Sequence, residues 1–192
     1  MRPFTFVLLC SLGAPLWAAP TVQQATARID ISGQAHQGNL MFNQAAGQEH
    51  QQVNARAIAN NAKTHASTRV EQRQNQALDT DQSISASASI GGPSFSQSNG
   101  VLGVNQSAGR GNQQINAFRM TSSVLEGLDD SVLAQQSVTP STISGAVEPQ
   151  NGERIVSMDD RAFGSSRGVV QLNQSAGVGN RSINNLGIRV AE

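Results

Sequence analysis

Three histidines, His36, His50 and His65, are the only imidazoles in the 192 residues, and their surroundings exclude the usual chemistry. None stands in the HExxH spacing that sets two rings on one helix face for zinc, and no serine stands in a GxSxG turn. Acids come in pairs, Asp79 with Asp81, Asp129 with Asp130 and Asp159 with Asp160. Calcium would need an EF-hand spacing or a glycine-rich nonapeptide around them, and neither is present, so they read as solvated turns. Arg56, Arg119 and Arg189 are scattered, without the clustered patch and aromatic platforms that nucleic acid requires. The expectation is a chain that is not an enzyme, with no metal, cofactor, small-molecule substrate or nucleic acid to bind.

The chemistry that remains is that of the uncharged amide. The chain is 38% hydrophobic, 4% aromatic and 14% charged, has no tyrosine and carries a formal net charge of zero. That is thin material for a large core, yet it lacks the net charge of a disordered tail. The polar mass is Gln, Asn, Ser and Gly, residues that hydrogen-bond without charge.

These amides recur in a phrase. Aligned on an Asn-Gln pair, the copies are GNLMFNQAAGQEHQQVNARAI at 38–58, GVLGVNQSAGRGNQQINAFRM at 100–120 and GVVQLNQSAGVGNRSINNLGI at 168–188. Identity at so many fixed offsets marks three equivalent structural units. Asn105, Asn173 and Asn180 open N-x-Ser sequons, but Ala45 stands where the other copies have Ser107 and Ser175, so the position requires a small residue and the sequons are accidental. His50 takes the place of Asn112 and Asn180 and reads as a polar ladder or turn residue.

Each unit predicts strand, turn, strand. Leu40 and Phe42, Leu102 and Val104, and Val170 and Leu172 alternate as in a half-buried strand, and Gly47, Gly109 and Gly177 are expected to form the turn. In the second arm Val53, Ile115 and Ile183 lie five positions before Ile58, Met120 and Ile188. That odd offset predicts a bend or bulge between them. A lone hairpin is marginal in water, so the copies must stack. Stacking would set Asn43, Asn105 and Asn173, and likewise Gln44, Gln106 and Gln174, into ladders in which each amide donates to one neighbour and accepts from the next, with a further ladder through Asn54, Asn116 and Asn184. Such ladders fix a register that aliphatic residues alone would let slip. The fold class expected is all-β, strand-turn-strand repeats stacked as a β-solenoid-like or cross-β unit with long flexible linkers.

The pattern GVLGVNQSAGRGNQQINAF resembles the imperfect repeats of the Fap functional-amyloid proteins, secreted biofilm subunits whose three Asn/Gln/Gly/Ala repeats are separated by variable linkers. The resemblance implies a structural protein of an extracellular fibre whose partners are copies of itself and related amyloid subunits, with an outer-membrane export pore met on the way out. A short chain with three repeats is most similar to the minor, nucleating subunit. The CxC motif near the C terminus of another Fap component is missing here.

The remaining segments frame the repeats. Arg2, the apolar run FTFVLLCSLGAPLW and the small residues Ala18 and Ala19 read as a secretory signal peptide over 1–18. Its removal takes the single cysteine, Cys10, and leaves a net charge of about −1, close enough to zero to favour self-association. The repeats are spaced 62 and 68 residues apart, which argues against a compact solenoid of constant period and for linkers that loop out. The linker 61–95 is polar, with KTHASTRVEQRQNQALDTD at 63–81 too polar for a core and SISASASI at 83–90 alternating like a strand. The linker 121–163 carries SVLEGLDDSVLAQQ, a capping box and an apolar stripe that predict a short amphipathic helix at 123–136, and a short strand near Ile155. That helix would cover the stack; were it to dock a subunit instead, with Glu49 and His50 spoiling the first copy for homotypic stacking, the chain would be an accessory or chaperone that restrains assembly.

Overall fold

The computed structural model describes residues 23–60, 66–74, 83–122, 136–139 and 152–190. The signal-peptide segment lies outside them, and so does the expected helix except for Gln136, which begins a strand. Among the described residues every regular element is β, and no helix is long and apolar enough to cross a membrane.

The chain runs through the same course three times. Rung 1 consists of β1 (Gln23–Asp30), β2 (Gln37–Gln48), β3 (Gln51–Asn60) and β4 (Val70–Arg73). Rung 2 repeats it with β5 (Ile84–Gly91), β6 (Asn99–Arg110), β7 (Gln113–Ser122) and β8 (Gln136–Thr139). Rung 3 supplies β9 (Arg154–Met158), β10 (Arg167–Val178) and β11 (Arg181–Val190). Like strands pair in parallel, giving sheets ordered β1-β5-β9, β10-β6-β2, β11-β7-β3 and β4-β8. The fold is therefore a stack of parallel rungs, solenoid-like, with rung 2 in the middle.

Register follows the repeat residue for residue. Asn43 and Asn173 both pair with Asn105, and Asn54 and Asn184 both pair with Asn116. The unequal spacing does not prevent this, because the surplus length of each linker falls between the paired strands, where added chain costs little closure entropy.

Four sequence expectations are corrected. The second arm has no bulge: β3, β7 and β11 pair one to one throughout, and the five-residue offset simply places the two apolar residues on opposite faces. The linkers do not merely loop out; β4, β5, β8 and β9 lie within 61–95 and 121–163 and take part in the stack. Nor is the stretch around β4 too polar to be covered, since Ala66, Thr68, Gln72 and Gln74 are buried. Gln72 donates to the Gln114 carbonyl at 3.2 Å and Gln51 to the Arg73 carbonyl at 2.8 Å, which tie β4 to the sheet of β3 and β7.

The fourth correction concerns the glycines. Gly47, Gly109 and Gly177 are not the turn but lie inside the ends of β2, β6 and β10, and the corners follow at 49–50, 111–112 and 179–180. Their φ values of 110°, 111° and 118° lie where side-chain-bearing residues rarely go. A Cβ on Gly109 would stand 2.1 Å from the Gly177 carbonyl oxygen, and one on Gly47 would stand 1.8 Å from that of Gly109. The glycines are required because one rung's backbone passes directly over the next.

Between the first two sheets lies an apolar chamber. β1 and β5 alternate, turning Ala25, Ala27 and Ile29, and Ile84, Ala86, Ala88 and Ile90, inward. The alanines and Ile84 meet Ala46, Ala108 and Ala176; Ile29 and Ile90 meet Leu102, Val104 and Phe95 near the connecting arc. Phe95 is fully buried, stacked on Phe163 at 5.3 Å and edge-on to Phe42 at 5.8 Å.

Candidate assembly site

On its opposite face the sheet β10-β6-β2 presents amides to the sheet β11-β7-β3, because residues alternate across a strand. Asn105 Nδ2 donates to Asn43 Oδ1 at 3.0 Å, and Asn173 Nδ2 to Asn105 Oδ1 at 3.0 Å. Facing them, Asn116 donates to Asn54 and Asn184 to Asn116, both at 3.0 Å. The two series also join within each rung: Asn54 reaches Asn43 Oδ1 at 2.7 Å, Asn116 reaches Asn105 at 3.0 Å, and Asn184 reaches Asn173 at 2.9 Å. The glutamines form a third series on the apolar side, Gln106 donating to Gln44 and Gln174 to Gln106 at 2.9 Å, with spare N–H groups bonded to carbonyls of the first sheet, such as Ser89 O at 2.9 Å and Ala88 O at 3.0 Å.

Burial gives these bonds their weight. Asn105 and Gln106 are wholly buried, and a buried amide with no partner would cost about 1–3 kcal/mol. Rung 2 satisfies its amides because it has a neighbour on each side. Rungs 1 and 3 have one neighbour each, so Asn43, Gln44 and Asn54 on one edge and Gln174 and Asn184 on the other stay partly open.

Several members of the site carry the same repeat signal but are not singled out by the Asn-Gln alignment. Gln52 donates to Gln114 Oε1 and to Ser107 Oγ, both at 2.9 Å, and Gln114 donates to Ser175 Oγ at 3.0 Å. Ser107 and Ser175 thus use their hydroxyls, where the repeat alone asks only for a small residue. Arg56 lies where the other copies have Phe118 and Leu186. Its guanidinium donates to the carbonyls of Leu40, at 2.8 Å, and Val101, in space left by Gly103, where a Cβ would come within 2.9 Å of it.

The corner holds the last element. Asn180 donates to Asn112 Oδ1 at 3.0 Å, whereas His50 takes the equivalent place in rung 1. Its Nε2 donates to the Ala46 carbonyl at 2.9 Å and its Nδ1 accepts the Asn112 N–H at 3.3 Å, an arrangement that requires the neutral ring. Burial lowers its pKa from the usual histidine value, against the raising effect of its backbone bonds and of Glu49. Among the described residues no cluster of histidine, cysteine, aspartate and glutamate could hold a metal ion.

A fold of parallel in-register rungs, joined by stacked side-chain amides and open at both edges, defines an amyloid-like structural protein. The chain belongs to the functional amyloid protein FapB/FapC family, whose pattern matches residues 15–191. Membership implies self-association with related subunits in an extracellular fibre. No solved structure matches the chain.

Proposed function

We propose that this chain is the minor, nucleating subunit of a biofilm functional amyloid, exported through its signal peptide and adding to the fibre through its Asn and Gln ladders. The observation that carries the reading is that one chain brings three in-register rungs together. Ordering the first few parallel strands is the costly step of cross-β growth, because loop closure and pairing must precede the reward of stacking. A chain that makes those rungs within itself bears that cost intramolecularly and presents an open edge to the next subunit.

The test is seeding. Purified mature protein, added at substoichiometric amounts to a repeat-matched subunit, should abolish the lag in cross-β signal. A lengthened lag would instead favour the second reading, a periplasmic or extracellular chaperone that restrains assembly. His50 favours that reading, since it replaces the corner amide on an outer rung.

A further inference from the structure

The ladders share a direction. From rung 3 to rung 2 to rung 1, Asn173, Asn184 and Gln174 donate to Asn105, Asn116 and Gln106, and these donate to Asn43, Asn54 and Gln44. The orientation of each amide is set by a second bond from the same nitrogen to a backbone carbonyl: Asn105 to Val53 O, Asn173 to Ile115 O and Asn116 to Val104 O, all at 3.0 Å, and Asn184 to Leu172 O at 2.9 Å. Turning any of them over would set oxygen against oxygen.

The two edges of the molecule therefore differ chemically. Rung 1 ends the ladders with amide nitrogens and rung 3 ends them with amide oxygens. Among the described residues one series runs the other way, Gln52 to Gln114 to Ser175, and it is not continued on rung 3, where Ser182 takes the register position of Gln114 and donates its hydroxyl to Asn173 Oδ1. We propose that a second copy of this chain docks head to tail, its rung 1 nitrogens donating onto the rung 3 oxygens of the first copy, so that growth is polar and neither edge mates with its own kind. The proposal rests on the self-assembly reading above and specifies its geometry.

Continuing the register also sets apolar residues over apolar ones. Val170 and Ile183, exposed on rung 3, would be covered by Leu40 and Val53 of the incoming copy, as Leu102 and Ile115 are within the chain. One like-charge contact opposes it, Asp30 over Asp159, which Gly91 separates inside the chain; each is already bonded to an arginine, Arg28 at 2.7 Å and Arg161 at 3.0 Å.

Blocking one edge at a time tests the polarity. In a parallel ladder the N–H groups of successive residues alternate in direction. The Asn99 N–H bonds His36 O and the Arg167 N–H bonds Ser98 O, so the N–H groups of Met41 and Val170 point to the two free edges. Proline there removes no internal bond and closes that edge. Met41→Pro and Val170→Pro should each remain monomeric in sedimentation velocity under conditions where the unmodified protein forms fibres, and an equimolar mixture should yield a particle of twice the monomer mass. Dimers of either variant alone, or a mixture that stays monomeric, would overturn the polarity while leaving self-assembly standing. Failure of the unmodified protein to assemble would overturn both. Should either proline variant lose its strand signal in circular dichroism, Met41→Lys and Val170→Lys carry the same test, since lysine blocks an edge by charge rather than by backbone geometry.

Discussion

One sheet, β10-β6-β2, serves two unlike chambers. Its Leu102 and Val104 face close-packed alanine, isoleucine and phenylalanine, whereas the next residue, Asn105, faces other amides. The apolar chamber holds rungs together without caring much about their vertical order, since dispersion and water exclusion are not directional. The amide chamber is the reverse: its bonds add little net stability each, but a rung shifted by one residue would leave buried amides unsatisfied. The contrast teaches that strength and register are assigned to opposite faces of the same strands.

The largest expected effect comes from the apolar side. Phe95→Ala should lower unfolding free energy by about 3–5 kcal/mol, because a fully buried ring with two aromatic partners leaves a cavity. Urea denaturation would measure it, while strands that still pair should keep the native register. Asn105→Leu with Asn173→Leu keeps volume and removes two laddered amides, at a cost of about 1 kcal/mol per lost bond and more where a partner such as the Val53 carbonyl stays buried and unpaired. Its signature should be slowed fibre growth with mixed register in solid-state NMR. Growth equal to that of the unmodified protein would mean that the amide chamber does not specify register.

A smaller effect separates the corner from both chambers. The His50 ring is neutral in the fold and its pKa is depressed by burial, so its contribution is fully present above about pH 6.5 and is lost as pH falls through the depressed value. His50→Asn, which matches the other copies, should remove that acid sensitivity from the melting temperature of the soluble protein. The smallest change expected is Gln72→Ala, about 1 kcal/mol, through loss of the bond to the Gln114 carbonyl. No change at all in thermal unfolding would show that β4 lies on the stack without supporting it.

Much of this was legible in the chain itself. The three-fold phrase marks equivalent rungs, its alternating Leu, Val and Phe mark strands, and its invariant Asn and Gln positions are the ones that meet across rungs. The strand at 84–91 is visible in SISASASI. β1 was not, because QQATARID buries two alanines and one isoleucine, a pattern too weak in apolar contrast to distinguish from a polar loop. Gly109 is visible as a special position but reads as a turn, since sequence cannot distinguish a glycine that bends the chain from one that lets a neighbouring backbone pass 2.1 Å from where a Cβ would be.

By itself, then, the order of residues determined the number of rungs and their register, because identical side chains stacked at van der Waals distance select identical offsets. Only the tertiary structure decided which face of the shared sheet is dry and which is amide-lined, that Arg56 closes the amide chamber against carbonyls of β2 and β6, and that the ladders run from rung 3 to rung 1. Those depend on which sheet lies opposite and where its carbonyls point, and neither is written in any local stretch of the chain.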